Sequence, residues 1–159
     1  DSFFQPDKVI TRAAFTKALV KALGLVPGMG TVSFTDVSGH ADLAYIQTAA
    51  HYGLIQGHGK NDFKPDEPIT RAQAAVMLEA AFKLTKEYRS VGPIETFYAL
   101  KPFTDASLVP LWADNELANI VRIGVITGKN GSRLAPSDAL TRAEAAATIR
   151  RLLQKTGLI

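Results

Sequence analysis

The chain has 159 residues, 47% hydrophobic and 21% charged, a composition that fits a globular protein and excludes a disordered one. Its net charge of +3, with a pI near 9.2, comes from scattered basic residues, which suits an acidic partner but gives no nucleic-acid-binding arm. The absence of cysteine excludes disulfides and thiolate metal sites, and no apolar run approaches the roughly 20 residues that cross a bilayer.

The start, Asp1-Ser2-Phe3, has neither an initiator Met nor a leader and reads as internal or processed. Phe3-Phe4-Gln5-Pro6-Asp7 leads into Ile10-Thr11-Arg12-Ala13-Ala14, and the apolar pattern that follows predicts a helix over about 12–25. Phe34-Thr35-Asp36-Val37 precedes a second helix over about 41–52, with Leu43, Ile46, Ala49 and Ala50 on one face. Gly53-Leu54-Ile55-Gln56-Gly57 ends it. A polar loop reaches Phe63-Lys64-Pro65-Asp66, and Ile69-Thr70-Arg71-Ala72-Gln73 opens a third helix over about 71–86. Residues 84–102, with Gly92-Pro93 and Tyr98, read as a linker packed on the surface, with a short helix near 94–100.

Phe103-Thr104-Asp105-Ala106 restarts the pattern. A helix over about 112–123 carries Trp112, Ala113, Leu117, Ile120 and Val121. Gly124-Val125-Ile126-Thr127-Gly128 and Leu134-Ala135-Pro136 follow. Leu140-Thr141-Arg142-Ala143-Glu144 opens the last helix, over 142–155, which stops at Gly157 and reads as a chain end. No alternating run supports a strand, so the fold class is all-α; extended pieces at 33–37 and 103–105 are expected to pair locally.

The pattern is a repeat. A partial first copy spans 1–33 and lacks its first helix and glycine turn. A second copy with the linker spans 34–102, and a third spans 103–159. Gly57 to Arg71 and Gly128 to Arg142 are both 14 positions, so one loop geometry is expected in both. Arg12 to Arg71 is 59 positions and Arg71 to Arg142 is 71; the excess falls mainly in the linker.

Thr70 and Thr141 are suited to N-caps, and Gln73 and Glu144 three residues later complete capping boxes. Ala14 denies the first copy that reciprocal bond. Gly53 and Gly124 suit the left-handed residue that ends a helix. Arg12, Arg71 and Arg142 are different. Each occupies the first helical position, where a cation opposes the helix dipole at about 0.3–1 kcal/mol. Two explanations stand side by side. One is an ion pair with Asp7, Asp66, Asp138 or Glu144; the other is an anion site made by the guanidinium and free N–H groups of the helix start.

The loops Gly57-His58-Gly59-Lys60-Asn61 and Gly128-Lys129-Asn130-Gly131-Ser132 are either tight turns or close-approach sites for a ligand. Trp112 reads either as core, the commoner fate of a lone Trp on an amphipathic helix, or as a platform for sugar C–H faces. His40, His51 and His58 form no ligand set, no serine sits in a nucleophile elbow, and no acid pair stands out. A catalytic role and a cofactor are therefore not expected.

Taken together, Phe-x-Asp-Val, Gly-Leu-Ile-x-Gly, Phe-x-Pro and Ile-Thr-Arg-Ala-Gln/Glu resemble the surface-layer homology (SLH) repeat over nearly the whole chain. The resemblance implies tandem helix-loop-helix repeats packed as a pseudo-threefold module. It also implies an extracellular, non-catalytic anchor that holds secondary cell-wall polysaccharide, often through a pyruvylated amino sugar, for a cargo domain upstream. The matching site positions are Arg71, Arg142 and Arg12 in that order, with Gln73, Glu144, Gly57 and Gly128 lining inter-repeat grooves; Lys60, Lys129 and Trp112 join them as candidates from the residues themselves. The departures are Ala14 in the first copy, Ala41-Asp42 where the third copy has Trp112-Ala113, and Arg133-Leu134 in the third loop. The alternative is a self-assembly module, with a neighbouring chain filling apolar surface left on the first copy.

Overall fold

The computed structural model describes residues 4–57, 59 and 61–159. Among them are six α-helices and no sheet: α1 (Arg12–Ala22), α2 (Leu43–His51), α3 (Arg71–Lys83), α4 (Pro93–Leu100), α5 (Asp114–Arg122) and α6 (Arg142–Lys155), with one 3₁₀ turn at Ala106–Leu108. The five expected helices and the short one in the linker all form. Most are trimmed by one to three residues at an end.

The caps explain the helix starts. The Thr11, Thr70 and Thr141 hydroxyls each accept a bond from the backbone N–H three residues on. The Gln73 and Glu144 side chains return the bond to the backbone N–H of Thr70 (3.0 Å) and Thr141 (2.8 Å). Gly53 and Gly124 end α2 and α5 at φ 69° and 77°, in the left-handed region an L side chain adopts at a cost.

A closed ring of backbone bonds organises the molecule. The Ile10 N–H donates to the Leu140 carbonyl (3.0 Å), Leu140 to Ile69 (3.0 Å), and Ile69 back to Ile10 (3.1 Å). All three side chains are buried. The starts of α1, α3 and α6 thus meet at one centre with pseudo-threefold symmetry. Around it, each helix start donates into the next copy's proline loop. Arg12 and Ala13 bond to Glu67 and Pro65, Arg71 and Ala72 to Asp138 and Pro136, and Arg142 and Ala143 to Lys8 and Pro6.

The remaining helices pack outside this centre, α2 on α1 and both α4 and α5 around the α3 side. A single core of Phe15, Leu19, Ile46, Phe63, Leu78, Leu117, Ile120 and Leu152 runs between them. On α6 the corresponding outer face has no covering helix among the described residues. Ala146 and Arg150 are exposed where Thr16 and Val20 of α1, and Ala75 and Glu79 of α3, are buried.

The extended pieces pair as expected, with the loops rather than with each other. Thr35 N–H bonds to Asn61 and Thr104 N–H to Ser132, each at 2.9 Å. The next residue in each, Asp36 or Asp105, uses both carboxylate oxygens to hold the turn before the proline. Asp36 accepts from Phe63 (2.8 Å) and Lys64 (2.7 Å), and Asp105 from Leu134 and Ala135 (both 2.8 Å). Lys64 and Ala135 sit at φ 57° and 48°, a strained left-handed conformation that these bonds help to hold.

Candidate functional site

Three grooves lie around the ring, each with one of the repeated arginines. The first, 360 Å³ in volume, is lined by Arg12, Leu54, Gly57, Gly59, Gln73 and Trp112, among others. The second, 220 Å³, is lined by Arg71, Thr127, Gly128, Lys129, Glu144 and Arg151, with Ala147 and Thr148. The third is mostly apolar: Phe4, Ile10, Ala14, Ala145 and Ile149 surround Arg142, with Lys17, Lys21 and Asp42 at its margin. Only the first falls within the roughly 300–1,000 Å³ of a small-ligand site while also carrying a glycine loop.

The arginines do not owe their place to free N–H groups, and that expectation is corrected. The first two N–H groups of each helix donate to the next copy's carbonyls, and the third to the threonine hydroxyl. No anion can take bonds that are already made. For Arg12 and Arg71, what offsets the dipole is carbonyl oxygens across the repeat boundary. Arg12 Nε donates to the Phe63 carbonyl (2.8 Å), with its guanidinium carbon 4.7 Å from the Phe63 ring centroid. Arg71 Nε donates to Leu134 (2.6 Å) and Nη2 to Thr127 (2.8 Å). Arg142 lies 5.6 Å from the Phe4 ring, and its buried Nε has no hydrogen-bond partner among the described residues.

The free valences differ between grooves. Arg71 uses all three nitrogens, since Nη1 lies 3.9 Å from Glu144 Oε1. Lys129 is drawn into the same knot, 3.6 Å from Glu144 and 3.1 Å from Asp138. Here the ion-pair explanation for the arginine holds in part. Arg12, 5% exposed overall, bonds through Nε only; among the described residues its terminal nitrogens make no hydrogen bond or ion pair. The residue facing it from α3 is the neutral Gln73, where the second groove has Glu144. Burial pushes both guanidinium pKa values down, countered by Glu67 at Arg12 and by Glu144 at Arg71. Both stay cationic at neutral pH.

Gly57 and Gly128 have a packing reason. A Cβ on either would come within 2.8 Å of the Phe34 ring or 2.7 Å of the Phe103 ring. The aromatic of Phe-Thr-Asp thus closes the back of each glycine loop. Trp112 is not core. It precedes α5 instead of lying on it, Ala113 fills the buried position, and the indole is 59% exposed at the first groove. Lys60 and His58 lie outside the described residues. His40 Nδ1 accepts from Asp42 N–H and its Nε2 lies 3.4 Å from Asp66 Oδ1, while the His51 ring is set against Tyr52.

Sequence reasoning overlooked Gln56, which lines the first groove beside Gly57, and the pairing of each arginine with the next copy's loop. That pairing had a signal, since Phe-x-Pro and Leu-x-Pro keep a fixed distance from the arginine that follows. Their contact across the repeat boundary needed the fold.

These features define an all-helical repeat module whose grooves lie between neighbouring copies. The S-layer homology domain family matches residues 33–75 and 102–146, more than half the sequence, and the chain belongs to that family. It is an extracellular module of the cell surface. An amylopullulanase of Thermoanaerobacterium thermosulfurigenes is 33% identical over 160 aligned residues, covering 100% of this chain and 8% of that protein. Exoglucanase XynX of Acetivibrio thermocellus is 33% identical over 157 residues, covering 98% of this chain and 14% of the relative. S-layer protein EA1 of Bacillus anthracis is 28% identical over 158 residues, 99% of this chain and 17% of the relative. The chain spans less than a fifth of each, and in the two enzymes the matching region is a small part of a larger protein.

Proposed function

We propose that residues 1–159 act as one non-catalytic anchoring module that binds anionic secondary cell-wall polysaccharide, with the first groove as its principal site. The ligand class is a sugar bearing a carboxylate, such as a pyruvylated amino sugar. The observation that supports this reading is the Arg12 guanidinium: its terminal nitrogens have no hydrogen-bond or ion-pair partner among the described residues, it faces a neutral Gln73, and the exposed Trp112 and a glycine loop flank it. A carboxylate there gains a charge-assisted fork, and the Trp112 face receives the sugar's C–H surface. In the second groove Glu144 already occupies the cations, so an incoming carboxylate meets a like charge. The order of sites is therefore Arg12 before Arg71, with Arg142, whose groove is lined by Ala14 and Phe4, last. An upstream cargo domain is part of the proposal, in keeping with the small share that the chain takes of its relatives.

Calorimetry with pyruvylated cell-wall polysaccharide tests it. Arg12→Ala and Trp112→Ala should each weaken binding about tenfold or more, while Arg71→Ala weakens it less. Wild-type affinity in both first-groove variants refutes the assignment, and no binding by the unaltered chain refutes the function. The second reading is a self-assembly module; the uncovered face it would use lies on α6 of the third copy and not on the first copy, where α2 covers α1, and it predicts sedimentation that depends on concentration. A monomer at all concentrations that still binds glycan removes it.

A further inference from the structure

The linker of the second copy does more than bridge two repeats. Its helix α4 packs on α5 and leaves a second large groove of 580 Å³, lined by Phe97, Leu100, Lys101, Val109, Leu111 and Asn115, among others. Two exposed apolar side chains line it, Phe97 and Leu111, the latter 88% exposed, and Ile94, Tyr98 and Leu108 are exposed on the neighbouring turns of the same segments. Exposed apolar surface of this kind marks a contact site. Lys101 holds its ammonium 5.7 Å from the Phe97 ring centroid and 5.9 Å from that of Tyr98, and among the described residues it has no carboxylate partner. Polar groups also line it: the Thr96 hydroxyl donates to Asn115 Oδ1 at 2.9 Å, and Asp114 and Ser107 are lining residues too.

The position of this groove matters most. Leu111 lines it and the next residue, Trp112, lines the Arg12 groove, so the two grooves share one stretch of backbone as their common wall. Resting on the reading above, we propose that the α4 groove is an accessory subsite for the same polysaccharide. It would take the sugars that follow the one held at Arg12. The aromatic face of Phe97 suits a sugar C–H surface, Lys101 suits an anionic chain, and the lining polar side chains suit hydroxyls. The α4 insertion has no counterpart between Arg12 and Arg71, so this subsite would exist once per module.

The test compares the terminal disaccharide of pyruvylated cell-wall polysaccharide with a longer fragment by calorimetry, on the whole chain and on Phe97→Ala and Lys101→Ala. Both side chains are exposed, so the variants keep the fold, and circular dichroism verifies this. The longer fragment should bind about three- to tenfold tighter than the disaccharide, and each variant should lose most of that gain while binding the disaccharide as before. Equal affinity for both lengths in the unaltered chain overturns the subsite and leaves the Arg12 site standing. So does a length gain that survives in both variants. Failure of the chain to bind either fragment overturns both proposals. If Phe97→Ala abolishes self-association and leaves length dependence intact, the patch is a protein contact and the proposal falls.

Discussion

Asp105 shows how a single side chain sets a loop. Its buried carboxylate accepts two backbone N–H bonds and fixes the strained turn at Ala135. Burial alone would push its pKa up. The N–H donors of Leu134 and Ala135, its own N–H and the Arg133 charge outweigh this and hold the carboxyl below its ordinary range. Asp36 is shifted the same way for the same reasons. With the folded pKa below the unfolded value of about 3.9, this stabilisation is complete above that pH and is lost as pH falls through the folded pKa. Thermal unfolding followed from pH 6 down to pH 2 should therefore show the melting temperature fall below about pH 4. Asp105→Asn can accept through one oxygen only and leaves a buried N–H orphaned. It should cost about 1–3 kcal/mol near neutral pH and flatten the acid limb. A variant as acid-sensitive as the parent contradicts the assignment.

At the scale of the element, the three threonine-started helices are alike in sequence and unlike in closure. Thr141 and Glu144 satisfy two N–H groups reciprocally, as Thr70 and Gln73 do, while Thr11 works alone because Ala14 follows. Thr141→Ala should cost about 1 kcal/mol, read from the denaturant midpoint. Glu144→Gln should keep the cap and free Arg71 and Lys129 from their shared carboxylate. The helices, their caps and their glycine stops were legible because each depends on residues within one turn. Trp112 was not. Whether a residue just before a helix turns inward or outward depends on what the neighbouring repeat offers, and here Ala113 takes the inward place.

For the molecule as a whole, the ring through Ile10, Ile69 and Leu140 makes the copies interdependent. Removing any one copy leaves the other two with an unpaired backbone group at the buried centre, at a cost of about 1–3 kcal/mol for each such group. The three amides should therefore exchange with solvent only on global unfolding, with equal protection, in native-state hydrogen exchange. Markedly lower protection at Ile10 than at Leu140 would show the first copy opening by itself.

The sequence by itself determined the repeat, the all-α class, the helix starts and the family, because these follow from short-range patterns of caps, glycines and apolar spacing. It also pointed to the arginines as the residues whose place the helix could not explain. Only the tertiary structure decided what the arginines do. Each side chain reaches carbonyls in the next copy's loop or that loop's aromatic ring, and a bond between residues 51 or 63 positions apart is invisible to local spacing. The same long-range packing spends the helix-start N–H groups on backbone carbonyls, leaves the terminal nitrogens of Arg12 without a partner among the described residues, and brings Trp112 from the third copy to the groove between the first two.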